Sequence, residues 1–331
     1  MRDRPEGITE RDMLLALADG WSVAGWKLEY APVGAGSYHW TAALRSGGGP
    51  EERRFVTVDD LDDKGWLGRT RPAVLAGLRA AMDAAVTLRR AGLGFVAAPV
   101  PARTGETVRP LGHGHAITVF PYLDGSSGAW GEPLPAPERG ELAAMLAALH
   151  QADPAAVRLP RVELALPWRG ELEAALTELG QPWTGGPYSE QARALLASAA
   201  RPVRRHLDTL DRWAPRLAVA AAVITHGEPH PGNVMRAPGG LMLIDWDTAA
   251  LAPPERDLWL VATESGDEVR RYTELTGHPV DPAALEFYRL RWALDDLSCF
   301  LRDLRAPHHP TPGTEDAWLN LETALTALTA T

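Results

Sequence analysis

Residues 225–233, THGEPHPGN, combine two histidines, a carboxylate and an amide in one short segment. His226 and His230 have the i, i+4 spacing of zinc ligands in metalloproteases, but those enzymes present both ligands on one face of a helix. Gly227, Pro229 and Pro231 disfavour a helix here. A zinc site is therefore disfavoured, and the segment is either a catalytic loop or a structural turn.

A second acidic segment, LMLIDWDTA, follows at residues 241–249, where an apolar run ends in aspartate. A loop with an acid and an amide, followed by a short hairpin and such a strand, is an economical magnesium–phosphate site. Magnesium prefers oxygen ligands and takes few of them from the protein. Asn233 and Asp245 would supply these oxygens, and Glu228 would orient the attacking hydroxyl group and accept its proton.

The elements around these segments are predicted from apolar periodicity and from turn residues. A helix over residues 9–19 begins at Thr9 as its N-cap, and an alanine-rich helix over residues 72–91 stops at Gly92. Strands are predicted at residues 26–33, 37–45, 53–60, 106–111, 116–120, 219–225 and 241–245, and further helices at 138–151, 188–212 and most of the chain from 254. This order predicts an α+β protein with a small sheet lobe and a larger, mainly helical lobe.

A segment rich in glycine, proline and serine, residues 123–140, is predicted to link the two lobes. We therefore expect a first, nucleotide-binding lobe over residues 1–123, which includes the helix over 9–19. A second, catalytic and substrate-binding lobe is expected over residues 124–331.

Composition limits the partners of the protein. The net charge of −10 argues against nucleic acid as the main partner. No apolar stretch approaches the ~20 residues of a membrane span, so no membrane partner is expected. The start of the chain, MRDRPEGITE, lacks the apolar run of a secretory signal. Cys299 is the only cysteine, so an intrachain disulfide is impossible, and the protein is expected in the cytoplasm.

The segments HGEPHPGN (226–233) and IDWDTAALAPPERDLW (244–259), with the order of the lobes, resemble the aminoglycoside phosphotransferase family of antibiotic kinases. The resemblance covers residues 20–305 and implies the bilobal fold of the protein kinases. In that family the loop usually reads His-Gly-Asp-x-x-x-x-Asn, so Glu228 stands in the place of the catalytic aspartate. A later Asp-Leu pair supports the loop in the family, and Asp257 has that place here.

The resemblance also assigns the neighbouring polar residues. It gives Asn233 and Asp245 the places of the metal ligands. His230 stands where many protein kinases keep a lysine, so it is expected near the transferred phosphate. Asp247 would help a second metal or, more simply, be solvated or cap a turn, and His226 is expected to be structural.

Two further segments gain a function from this resemblance. Four residues between two predicted strands look like a short version of the loop that covers the phosphates of ATP: Gly34, Ala35, Gly36 and Ser37. ITVFPYLDG, residues 117–125, sits where the family holds adenine, so the backbones of Pro121 and Leu123 would bond the base, with Phe120 beside it. The alternatives are an ordinary glycine-rich hairpin turn and a strand that leaves the core.

The sequence departs from the family pattern at the lysine that binds phosphate. Thr57 occupies the place of the strand lysine, and the helix over 72–91 has Asp83 as its only acidic residue. The chain has only two lysines, Lys27 and Lys64. We predict Lys64, just after the third strand, as the phosphate lysine and Asp83 as a candidate partner. The alternative is an arginine, although its planar group is not equivalent to an ammonium group.

A candidate substrate surface lies on the predicted helix over residues 283–304. The side chains concerned are Tyr288, Trp292, Asp295 and Asp296. Aromatic rings beside carboxylates suit a cationic amine or guanidine group. The alternative is that the carboxylates merely pair with Arg291 or Arg302. The resemblance favours substrate binding, because the family draws acidic substrate residues from its C-terminal helices.

Together these features predict an enzyme that transfers the γ-phosphoryl group of ATP or GTP to a hydroxyl group, with Mg²⁺. A cationic antibiotic, either an aminoglycoside or a basic peptide antibiotic, is the expected substrate. One alternative is a kinase for a sugar or an amino-alcohol metabolite. The other is a pseudokinase that binds nucleotide without turnover, which the departures at the lysine and at Glu228 would favour.

Overall fold

The computed structural model describes residues 3–22, 25–34, 36–44 and 51–329. Backbone contacts divide the chain into two compact units, each built from two stretches of sequence. The first unit contains Asp3–Val162 and Ala221–Val280, and the second contains Glu163–Ala220 and Asp281–Thr331. The expected division into residues 1–123 and 124–331 stays a prediction, and the compact units group the chain differently.

The first unit contains a five-stranded antiparallel sheet, as the alternating runs predict. Its strands are β1 (Lys27–Ala31), β2 (Tyr38–Leu44), β3 (Glu52–Asp60), β4 (Val108–Leu111) and β5 (His115–Pro121). The strand order is β1-β2-β3-β5-β4, so β3 lies in the centre between β2 and β5. The register pairs Thr57 of β3 with Thr118 of β5.

The two faces of this sheet differ in their neighbours. One face packs against helix α1 (Glu10–Trp21) through a buried apolar cluster that includes Val56, Val58, Ile117 and Val119. Successive side chains of a strand point to opposite faces. Phe55, Thr57 and Asp59 of β3 therefore lie on the other face, as does Phe120 of β5.

Helix α2 (Arg71–Arg90) follows β3 as predicted, and its local sequence sets both ends. The Thr70 side chain accepts a hydrogen bond from the backbone N–H of Ala73, and Pro72 occupies the first turn, where its missing N–H costs nothing. The helix stops before Gly92, whose φ of +101° is a conformation that favours glycine.

The remaining elements of the first unit surround the two polar segments. β7 (Val223–Thr225) pairs with β10 (Ala250–Ala252), and β6 (Ser126–Ser127), β8 (Val234–Ala237) and β9 (Gly240–Leu243) form a three-stranded sheet. The helices are α3 (Ala136–His150), α6 (Glu255–Leu258) and α7 (Asp267–Thr276). β6 and α3 anchor residues 123–140 in this unit, where the sequence predicts a linker.

The second unit is helical. Its elements are α4 (Arg169–Thr177), α5 (Ser189–Ala218), α8 (Pro282–Arg305) and α9 (Pro312–Thr329). A leucine core, which includes Leu196, Leu294, Leu301 and Leu325, is almost fully buried. Helix α5 extends to Ala218 and is followed by a turn, so the strand predicted over residues 219–225 is shortened to β7. In the ranges that the structure describes, no helix combines the length and the apolar character needed to cross a membrane.

Candidate functional site

The loop after β7 is fixed by the histidine that opens it. His226 is fully buried, and its Nε2–H donates to the carbonyl oxygen of Ile244 at 2.9 Å, just past β9. Its Nδ1 accepts a hydrogen bond from the backbone N–H of Glu228 at 3.2 Å. Burial lowers the pKa of His226, and the neutral imidazole can donate at one nitrogen and accept at the other. His226 thus connects the loop to the segment that carries Asp245, as expected of a structural residue.

Asp257 of α6 supports the same loop. Its buried carboxylate accepts hydrogen bonds from the backbone N–H groups of Gly227 at 2.6 Å and His226 at 2.8 Å. It also accepts from Nε2 of His150 at 3.0 Å, while Nδ1 of that ring lies 2.9 Å from the Tyr272 hydroxyl group. Burial acts to raise the pKa of Asp257, but its donors, led by His150, outweigh burial and lower the pKa. The group therefore stays ionised and anchors the loop.

Asp257→Asn is expected to destabilise the protein by about 3 kcal/mol. The amide cannot accept from all of these donors, so buried N–H groups lose their partners. Urea unfolding measures the difference in the free energy of unfolding. Asp267→Asn is the matched control, since Asp267 is exposed and pairs with Arg270, and it should leave this free energy nearly unchanged. Equal effects of the two substitutions would contradict the supporting role of Asp257.

The turn at Pro231–Asn233 arranges the amide and the acid of the loop. Nδ2 of Asn233 donates to the carbonyl oxygen of Glu228 at 3.0 Å, so the amide joins the two ends of the loop. Because the nitrogen is used inside the loop, the side-chain oxygen of Asn233 is the atom that can bind a metal ion. Glu228 is half-buried.

His230 lies beside Asn233. Its Nδ1 accepts a hydrogen bond from the backbone N–H of Gly232 at 3.1 Å, and its Nε2 lies 3.2 Å from Nδ2 of Asn233. Burial, with a smaller contribution from His226, lowers the pKa of His230 to about 4. A neutral imidazole cannot bring the positive charge that a lysine would bring to a phosphate. His230 can therefore act there only through hydrogen bonds.

Asp245 follows β9 in an unusual backbone conformation. Its φ of 64° lies in the left-handed region, which aspartate and asparagine tolerate better than most residues. The next residue, Trp246, is fully buried, and its Nε1–H donates to the carbonyl oxygen of Leu243 at 2.9 Å. Its ring packs edge-on against His226, with the centroids 4.7 Å apart. The backbone conformation thus buries Trp246 and leaves Asp245 exposed to solvent.

Carboxylates are crowded around Asp245. Solvent reaches the Asp245 side chain, but the protein atoms packed around it reduce the hydration of the carboxylate, which is the largest cause that raises the pKa of Asp245. The negative charge of Asp247 is the next cause. Lys64 lowers this pKa, whereas Glu228 and Asp59 raise it further. A divalent cation relieves such crowding and prefers oxygen ligands, so the donor set fits magnesium. Within the described residues, no three His, Cys, Asp or Glu side chains form a complete metal cluster.

Lys64 lies in the loop after β3 with 1% of its side chain exposed. Three oxygens lie close to its Nζ, from Asp247 at 2.5 Å, Asp59 at 3.0 Å and Ser37 at 3.1 Å. Burial acts to lower the pKa of Lys64, but the charges of Asp247 and Asp59 outweigh burial and raise the pKa, so the ammonium group stays charged. The structure therefore brings the predicted phosphate lysine to the acidic segment. Asp247 is buried in this contact rather than solvated.

Asp83, the candidate partner of Lys64 on α2, has a different contact. Its carboxylate accepts a hydrogen bond from the Thr107 hydroxyl group at 2.7 Å. The carboxylates beside Lys64 come from β3 and from the segment after β9, so the predicted pairing with Asp83 is wrong. Sequence reasoning missed Asp59. The available signal is alternation, because Asp59 shares a face of β3 with Thr57, which has the place of the family lysine.

The glycine-rich turn is tied to the central strand. Gly34 and Gly36 have φ angles of +68° and +77°, which favour glycine. Ser37 is buried, and its hydroxyl group donates to Oδ1 of Asp59 at 2.6 Å. Ala35, the fourth residue predicted for this turn, lies outside the described residues.

The predicted adenine-binding segment begins at the end of β5. Phe120 and Pro121 pair with Phe55 and Arg54 of β3, and Phe120 is half-buried on the same sheet face as Phe55. Leu123 follows two residues later and is also half-buried. Adenine binding by this segment stays a prediction.

Helix α8 carries the four predicted substrate residues within the second unit. Tyr288 is buried, and Trp292, Asp295 and Asp296 are half-buried. Burial raises the pKa of Asp295. Burial and, after it, the charge of Asp295 raise the pKa of Asp296 to about 7. These carboxyl groups therefore lack the compensation that ordinary ion pairs would give them.

The alternative interpretation, that the carboxylates of Asp295 and Asp296 simply pair with arginines, agrees only in part with the contacts of Arg291 and Arg302. Arg291 lies 3.9 Å from Asp295, and it donates to backbone carbonyl groups of residues 163–165 at 3.2 to 3.4 Å. Arg302 pairs with Asp303 at 2.7 Å. Among the residues described, Oδ1 of Asp295 is buried without a hydrogen-bond partner. A bound cation would satisfy that oxygen.

Trp130 is a candidate that sequence reasoning missed. The residue is 53% exposed, and its ring packs edge-on against His230, with the centroids 4.9 Å apart. The backbone N–H of Gly128 donates to the carbonyl oxygen of Pro231 at 3.0 Å, which fixes this segment against the loop. The available signal is a single large aromatic residue in a segment of glycine, serine and proline.

Comparisons with known proteins agree with these motifs. The family model described as "Phosphotransferase enzyme family" (APH) matches residues 44–293. Protein StrN of Streptomyces griseus is 29% identical over 258 residues, which cover 73% of this chain and 75% of StrN.

Solved structures of kinases share the fold. Spectinomycin phosphotransferase APH(9)-Ia, in complex with ADP and spectinomycin, has a TM-score of 0.75 and 16% identity over 98% of this chain and 99% of that one. The microcompartment-associated aminopropanol kinase has a TM-score of 0.57 and 16% identity, over 97% of each chain. Amicoumacin kinase hAmiN has a TM-score of 0.56 and 14% identity, over 97% of this chain and 94% of its own.

These similarities confirm the α+β, protein-kinase-like fold predicted from the sequence. They also confirm the resemblance to the aminoglycoside phosphotransferases. Because the family model matches most of the chain, from residue 44 to residue 293, this protein belongs to the phosphotransferase enzyme family.

Proposed function

We propose that this protein transfers the γ-phosphoryl group of ATP or GTP to a hydroxyl group of a small molecule, with magnesium. The observation that carries the proposal is the position of Lys64. Its ammonium group lies within 3.1 Å of oxygens from the glycine-rich turn, the central strand and the segment after β9. A phosphate group there would meet a fixed positive charge beside the accessible carboxylate of Asp245. Relatives solved with ADP or AMP-PNP support a nucleotide as the ligand.

Four polar residues of the site would each have a task in the transfer. Magnesium, held by Asp245 and Asn233, would neutralise part of the charge on the phosphates. Lys64 would bind a phosphate oxygen. Glu228 would accept a hydrogen bond from the acceptor hydroxyl group and direct its oxygen to the γ-phosphorus. As the new P–O bond forms and the bond to the leaving nucleoside diphosphate breaks, Glu228 would take up the hydroxyl proton.

The backbone of Glu228 is held on both sides. Its N–H donates to Nδ1 of His226, and its carbonyl oxygen accepts from Nδ2 of Asn233. Its carboxylate can therefore move only through its own side-chain torsions. A backbone held in this way gives the base a defined position in the loop, which would favour its alignment with the acceptor hydroxyl group.

We propose further that the substrate carries a cationic amine. The support lies in the half-buried carboxyl groups of Asp295 and Asp296, which share helix α8 with Tyr288 and Trp292 and lack full compensation by arginine. Relatives solved with spectinomycin and hygromycin B favour an aminoglycoside-type antibiotic. The aminopropanol kinase favours the second candidate, an amino alcohol. Trp130, beside the loop, offers an exposed ring on which the face of a sugar or an amine could pack.

Asp296→Asn should stabilise the protein above pH 7 and weaken binding of a cationic substrate. The folded-state pKa of Asp296 is raised to about 7, so ionisation in the folded protein costs free energy that the unfolded chain does not lose. That cost is absent below about pH 4 and complete above about pH 7. We expect the variant to gain about 1 to 3 kcal/mol at about pH 8 and nothing at about pH 4.

Urea unfolding at both pH values measures this gain, and the KM for the amine substrate measures the loss of binding. Asp303→Asn, on the same helix, is the control, because 44% of the Asp303 side chain is exposed and it already pairs with Arg302. It should change neither quantity appreciably. A loss of stability in Asp296→Asn at high pH would contradict an uncompensated carboxylate at this position.

A substrate panel tests the proposed function. ADP release from ATP should depend on magnesium and on one class of acceptor among aminoglycosides, basic peptide antibiotics, amino alcohols and neutral sugars. Mass spectrometry should find one added phosphoryl group on the accepted compound. If ATP raises the melting temperature of the protein while every acceptor fails, the protein binds nucleotide without turnover, and the pseudokinase alternative replaces the proposal.

A further inference from the structure

Lys64 is held by carboxylates from a strand and from a loop, and within the described residues no carboxylate from a helix contacts it. We define the Lys64 cluster as Ser37, Asp59, Lys64 and Asp247. The ammonium group contacts both carboxylates and the Ser37 hydroxyl oxygen, and the Ser37 hydroxyl group in turn donates to Asp59 at 2.6 Å. The cluster thus joins the glycine-rich turn, the central strand and the acidic segment through one charged group.

The two carboxylates of the cluster differ in how firmly they are held. Asp59 has 3% of its side chain exposed and belongs to β3, which pairs with a strand on each side. Asp247 has 10% of its side chain exposed and lies two residues after Asp245, outside the strands. A metal ion held by Asp245 would offer the carboxylate of Asp247 a second cation to contact. Asp59 is the more deeply buried of the two and is fixed within the sheet, so it is the more firmly held partner of Lys64.

We propose that Asp59 is a positioning residue that holds Lys64 toward the phosphates of the nucleotide, with Ser37 tying the glycine-rich turn to the same carboxylate. In the family pattern the phosphate lysine lies within the strand and pairs with a carboxylate from a helix. Here Asp59, a strand residue, would hold the lysine that follows the strand. The inference rests on the proposed function, because it requires a phosphate-bearing ligand. The three N–H donors of the ammonium group now meet Asp59, Asp247 and the Ser37 hydroxyl group. Asp59 would keep the ammonium group in place while the donor that meets Asp247 turns to a phosphate oxygen.

The acidic residue of α2 provides the matched control. Asp83 is exposed and accepts from Thr107, so it is placed to stabilise α2 against β4 rather than to hold Lys64. Asp59→Asn and Asp83→Asn remove the same single charge from neighbouring elements, with nearly the same shape. Only the first of them changes the surroundings of Lys64.

Equilibrium titrations with ATP and with adenosine, at fixed magnesium concentration, test the proposal. Asp59→Asn should weaken ATP binding by about 30-fold, the typical effect of losing one partner of a buried charge pair. Adenosine binding should stay within about twofold, because adenosine has no phosphate for Lys64 to contact. Asp83→Asn should match wild type with both ligands. Equal losses for ATP and adenosine, or an Asp83→Asn protein as weak as Asp59→Asn, would overturn the proposal.

A double-mutant cycle with Lys64→Met separates positioning from a general structural effect. Once Lys64 is absent, Asp59→Asn should cause no further loss of ATP affinity beyond about twofold. A loss that persists in that background would show that Asp59 does not act through Lys64. In the kinetics, Asp59→Asn should raise the KM for ATP more than it lowers kcat, and Asp59→Glu should recover part of the affinity.

Ser37→Ala decides the matter if Asp59→Asn does not fold. It keeps all three charged groups of the cluster and removes one hydroxyl group, so ATP binding should weaken about threefold with adenosine binding unchanged. Unchanged ATP binding in that variant would overturn the proposal. Failure of the proposed function would be distinct, because it would appear in the wild-type protein itself, which would then either bind no ATP or bind ATP without phosphorylating any acceptor.

Discussion

Glu228→Gln is expected to reduce kcat by at least about 100-fold and to change nucleotide affinity by less than about twofold. Glutamine has the shape of glutamate and still accepts a hydrogen bond, but it cannot take up the proton of the acceptor hydroxyl group. The backbone of residue 228 is fixed by His226 and Asn233, so the substitution leaves the phosphate contacts in place. ADP release measures kcat, and an ATP titration followed by thermal shift measures the affinity.

Glu228→Asp tests the length of the same side chain. The related loops usually have aspartate here, so a faster variant is the naive expectation. We expect instead a lower kcat, because shortening the side chain withdraws the carboxylate by about a bond length, a displacement that can cost tenfold or more. Wild-type kcat in Glu228→Gln would show that Glu228 is not the base. An Asp variant faster than wild type would show that the site keeps the geometry of an aspartate loop.

Asp245→Asn is expected to lower kcat by at least about 1,000-fold and to raise the melting temperature of the nucleotide-free protein. The substitution weakens a metal ligand, so less of the negative charge on the phosphates is neutralised and the acceptor oxygen is repelled more strongly. It also relieves the crowding with Asp247, Glu228 and Asp59, which raises the stability. Asparagine is chosen because it tolerates the φ of 64° at this position, whereas alanine would add backbone strain.

The opposite directions of these two effects make the Asp245 experiment decisive. Calorimetric titration of Mn²⁺ in the presence of ATP should show weaker metal binding by Asp245→Asn. Thermal unfolding without ligand should show a higher melting temperature for this variant than for the wild type. Loss of turnover together with loss of stability would indicate simple misfolding of the segment after β9. Asp267→Asn, at an exposed ion pair, should change neither the metal affinity nor kcat.

Much of the first unit could be predicted because its signals are local. Val56 and Val58 alternate with Thr57 and Asp59, so the strand and its two faces follow from the sequence of β3 alone. The glycine-rich turn before β2 was predicted in the same way, from residues that adopt positive φ. Its role, like that of the segment after β5, depends on the order of motifs along the chain and stays a prediction.

Other features could not be predicted because they depend on distant contacts. Asp83 was expected beside Lys64 by analogy with related enzymes, yet Asp59 and Asp247 occupy that position. Asp247 is 183 residues from Lys64 in the chain, and no local pattern indicates that pairing. Residues 123–140 have the composition of a linker, but β6 pairs with β8 and brings Trp130 against the loop.

The residue types of HGEPHPGN and IDWDTA were enough to predict a phosphotransferase loop. The prolines exclude the helix that a zinc site needs, and one short hairpin separates the loop with the acid and the amide from the aspartate. Folding decided which charges neutralise one another. Three carboxylates, Asp59, Asp245 and Asp247, compete for one ammonium group, and only the convergence of β3 with the segment after β9 determines its contacts. The physical reason is that the electrostatic energy of a buried carboxylate depends on its distance in space from the Lys64 ammonium group. The order of residues along the chain does not specify that distance.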